Sequence, residues 1–152
     1  MMLNDSPVKI LFRFFSEILD EETVETMLAE TIDGEKGYYK LNNIPFYIPK
    51  VARGDIVWAE FKESEGMLTY RKTIEYSGNS TIHVIVLGDG HNVDAIRETF
   101  RNMGCQSEKI NKYFALVIPA SINYFPVKQH LHELQKSKIL DYAESCLSET
   151  HH

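Results

Sequence analysis

The chain has 152 residues, a formal net charge of -6, 43% hydrophobic and 11% aromatic residues. That composition fits one globular domain, or two very small ones sharing an interface, and excludes a disordered chain. The acidic balance argues against nucleic-acid binding, which rests on neutralising phosphates with Lys and Arg; no apolar run is long enough to span a bilayer.

In chain order, MMLNDSPVK carries an acidic residue and no apolar stretch, so no secretory signal is expected. Val8–Phe15 (VKILFRFF) is β-branched and aromatic and reads as a strand. Ser16 to Glu25 is acidic, with no Lys or Arg between Phe14 and Glu35. A charge run reads first as a solvated face, and Glu17, Asp20, Glu21, Glu22 and Glu25 read more sharply as a docking surface for a basic partner. In Thr26–Ile32, Met27, Ala29 and Thr31 share one side of a second strand. Asp33–Gly37 is a turn, and YYKLNNI completes a hairpin. Pro45 ends that strand. Phe46, Tyr47, Ile48 and Val51 are bulky apolar residues in an irregular segment, suited to covering one end of a barrel.

Gly54-Asp55 is a tight turn in which glycine is free to take positive φ. Ile56–Phe61 and Met67–Tyr76 are further strands, and Trp58 is expected at the junction with the second half. Five short strands without a helix predict a small antiparallel β-barrel or bent sheet over residues 1–78. After Ser80 the pattern changes. Thr81–Leu87 is continuously apolar, as in a buried strand. Asn92 is a good N-cap for a helix with Val93, Ile96, Phe100 and Met103 on one face, ending at Gly104. Cys105–Asn111 reads as an edge strand, Tyr113–Pro119 as a central one, Pro126 opens a second helix, and Leu140–Leu147 is the last strand. The order β-α-β-β-α-β over residues 79–152 is the ferredoxin-like pattern. The fold class is therefore α+β, with the ferredoxin-like half packed against the barrel as one cooperative unit.

The run YKLNNIPFY, then GDIVWAE, then MLTYR with SGNSTI, the MGC and SEK segment, and DYAE with CLSE near the end resembles a bacterial family carrying a domain of unknown function. The resemblance covers nearly the whole chain and implies a cytoplasmic bacterial protein with a shared fold. It carries over no catalytic residue. Locally, RGDIVWAEF resembles the first barrel strand of the MazF/PemK-like toxin ribonucleases. That implies a small barrel, but the following strand, MLTYRKTIEY, lacks the Arg-Pro pair of those enzymes.

Candidates for chemistry are thin. His130 and His132, two apart on a helix, point to opposite sides and cannot share one ion. Cys146, Glu149, His151 and His152 have zinc-ligand chemistry, but a terminal tail is expected to be mobile. His83, inside an apolar strand, reads as a hydrogen-bonded structural histidine. Cys105, after a helix C-terminus, makes a poor nucleophile. With two cysteines in all, free thiols in a reducing cytoplasm are expected. No metal or cofactor is expected, and no enzyme. Gly88, Gly90, His91 and Asn92 form a strand-to-helix loop that could hold an anion or small ligand, though Asp89 opposes an anion there.

Three functional readings follow. The first is a non-catalytic interaction or regulatory protein, of the immunity or antidote type, that binds a basic protein partner. Residues 1–78 carry nine Lys and Arg against fourteen Asp and Glu, hence five of the six net negative charges. The second is a small-molecule-sensing ferredoxin-like domain using the Gly88–Asn92 loop. The third is a barrel nuclease using Arg53, Tyr70 or Arg71.

Overall fold

A computed structural model describes residues 6–17 and 19–152. Residues 1–5, with the N-terminal reading made above, lie outside the described residues, as does residue 18. The chain is α+β. Five strands come first: β1 (Val8–Ser16), β2 (Glu21–Asp33), β3 (Tyr38–Leu41), β4 (Ile56–Lys62) and β5 (Met67–Glu75). They form a closed but uneven ring in the order β1-β2-β3-β4-β5. Four of its seams are antiparallel. The fifth, which closes it, is parallel and rests on only two residue pairs, Ile10 with Leu68 and Leu11 with Thr69. The all-antiparallel expectation is corrected at that seam. β2 is also longer than expected, because the acidic residues Glu21, Glu22 and Glu25 are themselves strand.

Alternation fills the ring. Ile10 and Phe12 on β1, Met27 and Ala29 on β2, Tyr39 and Leu41 on β3, and Val57 and Ala59 on β4 point inward and pack together. Ile48 and Val51, from the segment between β3 and β4, join this cluster and close one end. Trp58, one residue out of phase with Val57 and Ala59, faces outward. It lies beside Gly37 and beneath the Arg71 guanidinium, on the ring surface rather than at the expected junction.

The second half holds β6 (Ser80–Val86), α1 (Val93–Asn102), β7 (Gln106–Ile110), β8 (Tyr113–Ile118), α2 (Phe125–Lys136), β9 (Leu140–Cys146) and a short 3-10 turn, Glu149–His151. The strand order is β7-β8-β6-β9, antiparallel throughout. The central strand β8 is buried along its whole length, which explains its unbroken apolar run. Ile82, Val84, Val86, Phe114, Leu116 and Ile118 pack with Phe100 of α1 and Val127 and Leu131 of α2 on one face. By the strand period the opposite face carries His83 and Ile85 of β6, Tyr113 of β8 and Asp141 and Ala143 of β9. No helix among the described residues is long and apolar enough to cross a membrane.

Candidate functional site

The segment Asn42–Gly54 leaves and re-enters the ring at one point. Leu41 N–H donates to the Asp55 carbonyl (2.9 Å), and Gly54 N–H to that of Leu41 (2.8 Å). It is a closed excursion of the Ω-loop kind. Its two sides bind different halves of the molecule. Towards the ring, Asn42 N–H donates to the Leu28 carbonyl (2.9 Å), and Asn43 Oδ1 accepts from Leu28 N–H (2.5 Å). Towards the sheet, Lys50 N–H donates to the Ser145 carbonyl (3.0 Å), the Thr81 hydroxyl to that of Val51 (3.0 Å), and the Tyr113 hydroxyl to that of Phe46.

Glu25 is the keystone on the ring side. Its carboxylate accepts the N–H groups of Phe46 (2.7 Å), Tyr47 (2.8 Å) and Ile48 (3.2 Å). It shares the inward parity of Met27 and Ala29, so it sits at the mouth of the ring, half-buried, with its pKa raised by desolvation against the lowering effect of those three amides. Its assignment to a docking surface is therefore corrected: the charge is consumed inside the molecule. Glu17, Asp20, Glu21 and Glu22 remain exposed at the tip of the β1–β2 hairpin. Beyond Phe12 and Glu25 the two strands pair only with each other. This two-stranded arm also exposes Phe15 (51%), Val24 (48%) and Leu19 (42%).

On the sheet side the loop packs aromatic rings. Tyr47 stacks on Tyr113 (4.9 Å, 19°), and Phe46 meets both edge-on (5.0 and 4.9 Å). His83 lies beside Tyr113 (5.7 Å). It is 6% exposed. Its ring donates to the Pro45 carbonyl, and Nε2 has no partner among the described residues. Burial pushes its pKa down to about 4, so the imidazole is neutral at physiological pH. Burial also raises the Tyr47 and Tyr113 phenols, with the Glu25 charge adding to both. Of this cluster the sequence marks His83 as a structural histidine, Phe46 and Tyr47 as covers of a barrel end and Glu25, for a different role, as a surface acid; Tyr113 carries only the signal of a central strand.

Asp55 is fully buried. Its Oδ1 accepts from Ser77 N–H and its Oδ2 from Ala52 N–H, both at 2.9 Å. The turn thereby gains two side-chain hydrogen bonds, one of them to the end of β5. Gly54 adopts φ +90, and a Cβ there would meet Ser77 Cβ at 3.1 Å.

The other candidates separate. Gly88, Gly90, His91 and Asn92 are exposed. Asn92 Oδ1 is engaged by Ala95 N–H (3.0 Å) as the cap of α1, and Asp89 pairs with Lys112. Nothing converges there on a ligand. His130 and His132 are both on α2, two residues apart, and His130 is half-buried edge-on against Phe100 (5.2 Å). The C-terminal tail, expected to be mobile, is docked against the sheet half. His151 is buried, its Nε2–H donating to the Pro119 carbonyl (3.0 Å) and its Nδ1 accepting from the Ser80 hydroxyl (2.6 Å). Among the described residues no three His, Cys, Asp or Glu side chains are grouped to hold a metal. Cys105 is buried, its thiol pushed up to about 12, and Cys146 up to about 11. A groove of about 640 Å³ runs between the loop and β7. The edge of β7 beside it is partly covered, since Arg97 donates to both the hydroxyl and the carbonyl of Ser107.

The arrangement defines a class: an α+β protein whose strand ring and helix-backed sheet are joined by an anchored loop. The chain belongs to the family described as Domain of unknown function (DUF4265), whose profile matches residues 25–142. A solved structure titled as a novel crystal structure of a hypothetical protein from Neisseria gonorrhoeae is similar to it, with TM-score 0.77 and 24% identity over 97% of this chain and 99% of that one. At that identity the likeness concerns the fold. No curated protein matches the chain.

Proposed function

We propose that this protein is a non-catalytic cytoplasmic interaction module that docks a basic protein partner through the β1–β2 arm, in the manner of an immunity protein or antidote. The observation that carries the reading is the arm itself. Four exposed acidic residues, Glu17, Asp20, Glu21 and Glu22, share with exposed Phe15, Leu19 and Val24 a hairpin tip that pairs with no third strand among the described residues. An exposed aromatic anchor on an arm with four acidic residues suits a basic surface with an apolar pocket, with Arg13, beside Phe15 on the same face, held by Glu65. Residues 1–78 and 79–152 are read as two halves of one cooperative unit, and the second half as ferredoxin-like, supported by its strand order and the helices after its first and third strands. The barrel-nuclease alternative draws little from the ring: Arg71 covers Trp58 and pairs with Glu60 (3.3 Å), and Tyr70 stacks on Phe12 (4.5 Å).

The test places a photo-crosslinking residue at Phe15 of the full chain, and a control at Glu98 on α1, in cells of the source bacterium. One partner captured from Phe15 alone is expected. Its association rate should fall with added salt, since exposed charges are screened beyond about 8–10 Å, and should fall again on neutralising Glu17, Asp20, Glu21 and Glu22 to Gln or Asn. A partner whose association ignores both changes overturns the reading.

A further inference from the structure

We propose that the open face of the sheet carries a binding site for a small primary ammonium on an apolar stem, in the hollow walled by His83, Ile85, Tyr113, Asp141 and Ala143. This site stands independently of the arm. The hollow measures about 170 Å³, room for one small side-chain-sized group. Ile85 on its rim is an exposed aliphatic residue on a strand whose other residues are buried.

The ligand class follows from counting donors and acceptors. The Tyr113 hydroxyl already donates to the Phe46 carbonyl, and the His83 ring N–H to that of Pro45. Both side-chain donors in the wall are therefore spent. What remains accepts. His83 Nε2 is a lone pair without a partner. Asp141 Oδ1 takes Gln135 Nε2 (2.6 Å) and Tyr142 N–H (3.1 Å), while its second oxygen takes no hydrogen bond among the described residues. The Tyr113 ring, one face stacked on Tyr47, lines the hollow, and the Glu25 charge acts on its phenol. No Lys or Arg lines the hollow. A carboxylate or phosphate would meet only acceptors there. An ammonium supplies three donors and a charge that suits both an aromatic ring and a carboxylate. An unpartnered buried nitrogen is a feature native structures seldom leave, and a donor at the inner end of the hollow would satisfy it. Nε2 is shielded in the fold as it stands, so the amine meets it when the imidazole turns and exchanges its Pro45 hydrogen bond for the one from the amine, while Asp141 holds the charge at the mouth.

The experiment uses the full chain with nitrogen-labelled histidine, titrated with benzylamine, benzyl alcohol and benzoate, and read by the ring-nitrogen resonances of His83. Benzylamine should give a saturable shift of the Nε2 resonance, benzyl alcohol a weaker one, and benzoate none. Asp141→Asn, a surface change that should leave melting unaltered, should weaken benzylamine roughly two- to fivefold, the range for an exposed charge pair, and leave benzyl alcohol unchanged. Ile85→Trp, which fills the hollow, should abolish both shifts while the protein stays folded by its other histidine resonances. Absence of any saturable shift with benzylamine, equal binding of benzoate, or wild-type binding by Ile85→Trp overturns the site.

Discussion

The arm at residues 13–24 and the loop at residues 42–54 are two excursions from the same ring, and they are built in opposite ways. The loop is tied on both sides: three of its amides end on Glu25, its carbonyls take Thr81 and Tyr113, and Lys50 N–H reaches Ser145. Among the described residues, the strands of the arm beyond its root pair with each other alone, while Phe14 packs against the ring core and Arg13 pairs with Glu65 (2.8 Å) at that root. A two-stranded hairpin is marginal in water by itself. Acidic residues in one stretch of chain thus divide. Glu25, half-buried at the ring mouth, holds three loop amides, whereas Glu17, Asp20, Glu21 and Glu22 are exposed. Substitutions in the loop should cost stability and those in the arm should not.

The largest effect is expected at the two carboxylates that anchor the loop, half-buried Glu25 on β2 and buried Asp55 just after the loop. Glu25→Ala strands three backbone N–H groups, and Asp55→Ala strands two that a fully buried carboxylate now holds. At about 1–3 kcal/mol per orphaned group, offset by removal of a poorly solvated charge, each should lose roughly 2–4 kcal/mol in urea melting. Trp58 emission reports the ring, and helical circular dichroism reports α1 and α2. If the loop joins the halves, both signals fall together. A ring that melts at lower urea than the helices would separate them.

Acid should act through His83. Its pKa is depressed from 6.5 to about 4 in the folded chain, so the unfolded chain binds the proton first. Stability is therefore full above about pH 6.5 and is lost as pH falls towards 4, by roughly 3 kcal/mol. Glu25 and Asp55, whose pKa values are raised, work in the opposite sense. The difference between wild type and His83→Phe isolates the histidine: the wild type should be the more acid-sensitive across that window, and parallel curves would contradict the burial argument.

Gly54→Val should cost about 1–3 kcal/mol for a β-branched residue at φ +90, less than Asp55→Ala, because Asp55 holds two backbone N–H groups. Smallest of all, Phe15→Ala and the four charge-neutral arm substitutions should shift stability by no more than about 0.5 kcal/mol. Should any of them destabilise like Glu25→Ala, the arm is part of the core and the contrast drawn here fails.

The sequence by itself determined the elements. Continuous apolar runs marked β6 and β8, period-3.6 spacing and Asn92 marked α1, and alternation marked the ring strands, because each of these signals is local to the residues that carry it. Even the inward direction of Glu25 was legible, in its parity with Met27 and Ala29, though the surrounding acids disguised it. Tertiary structure alone decided what those elements meet. The parallel seam between β1 and β5, the docking of His151 on Ser80 and Pro119, the outward position of Trp58, and the meeting of Tyr47, Tyr113 and His83 all join residues far apart in the chain. Strand period says which side a residue faces. It does not say what stands opposite, because that is set by how two independently patterned halves close on one loop.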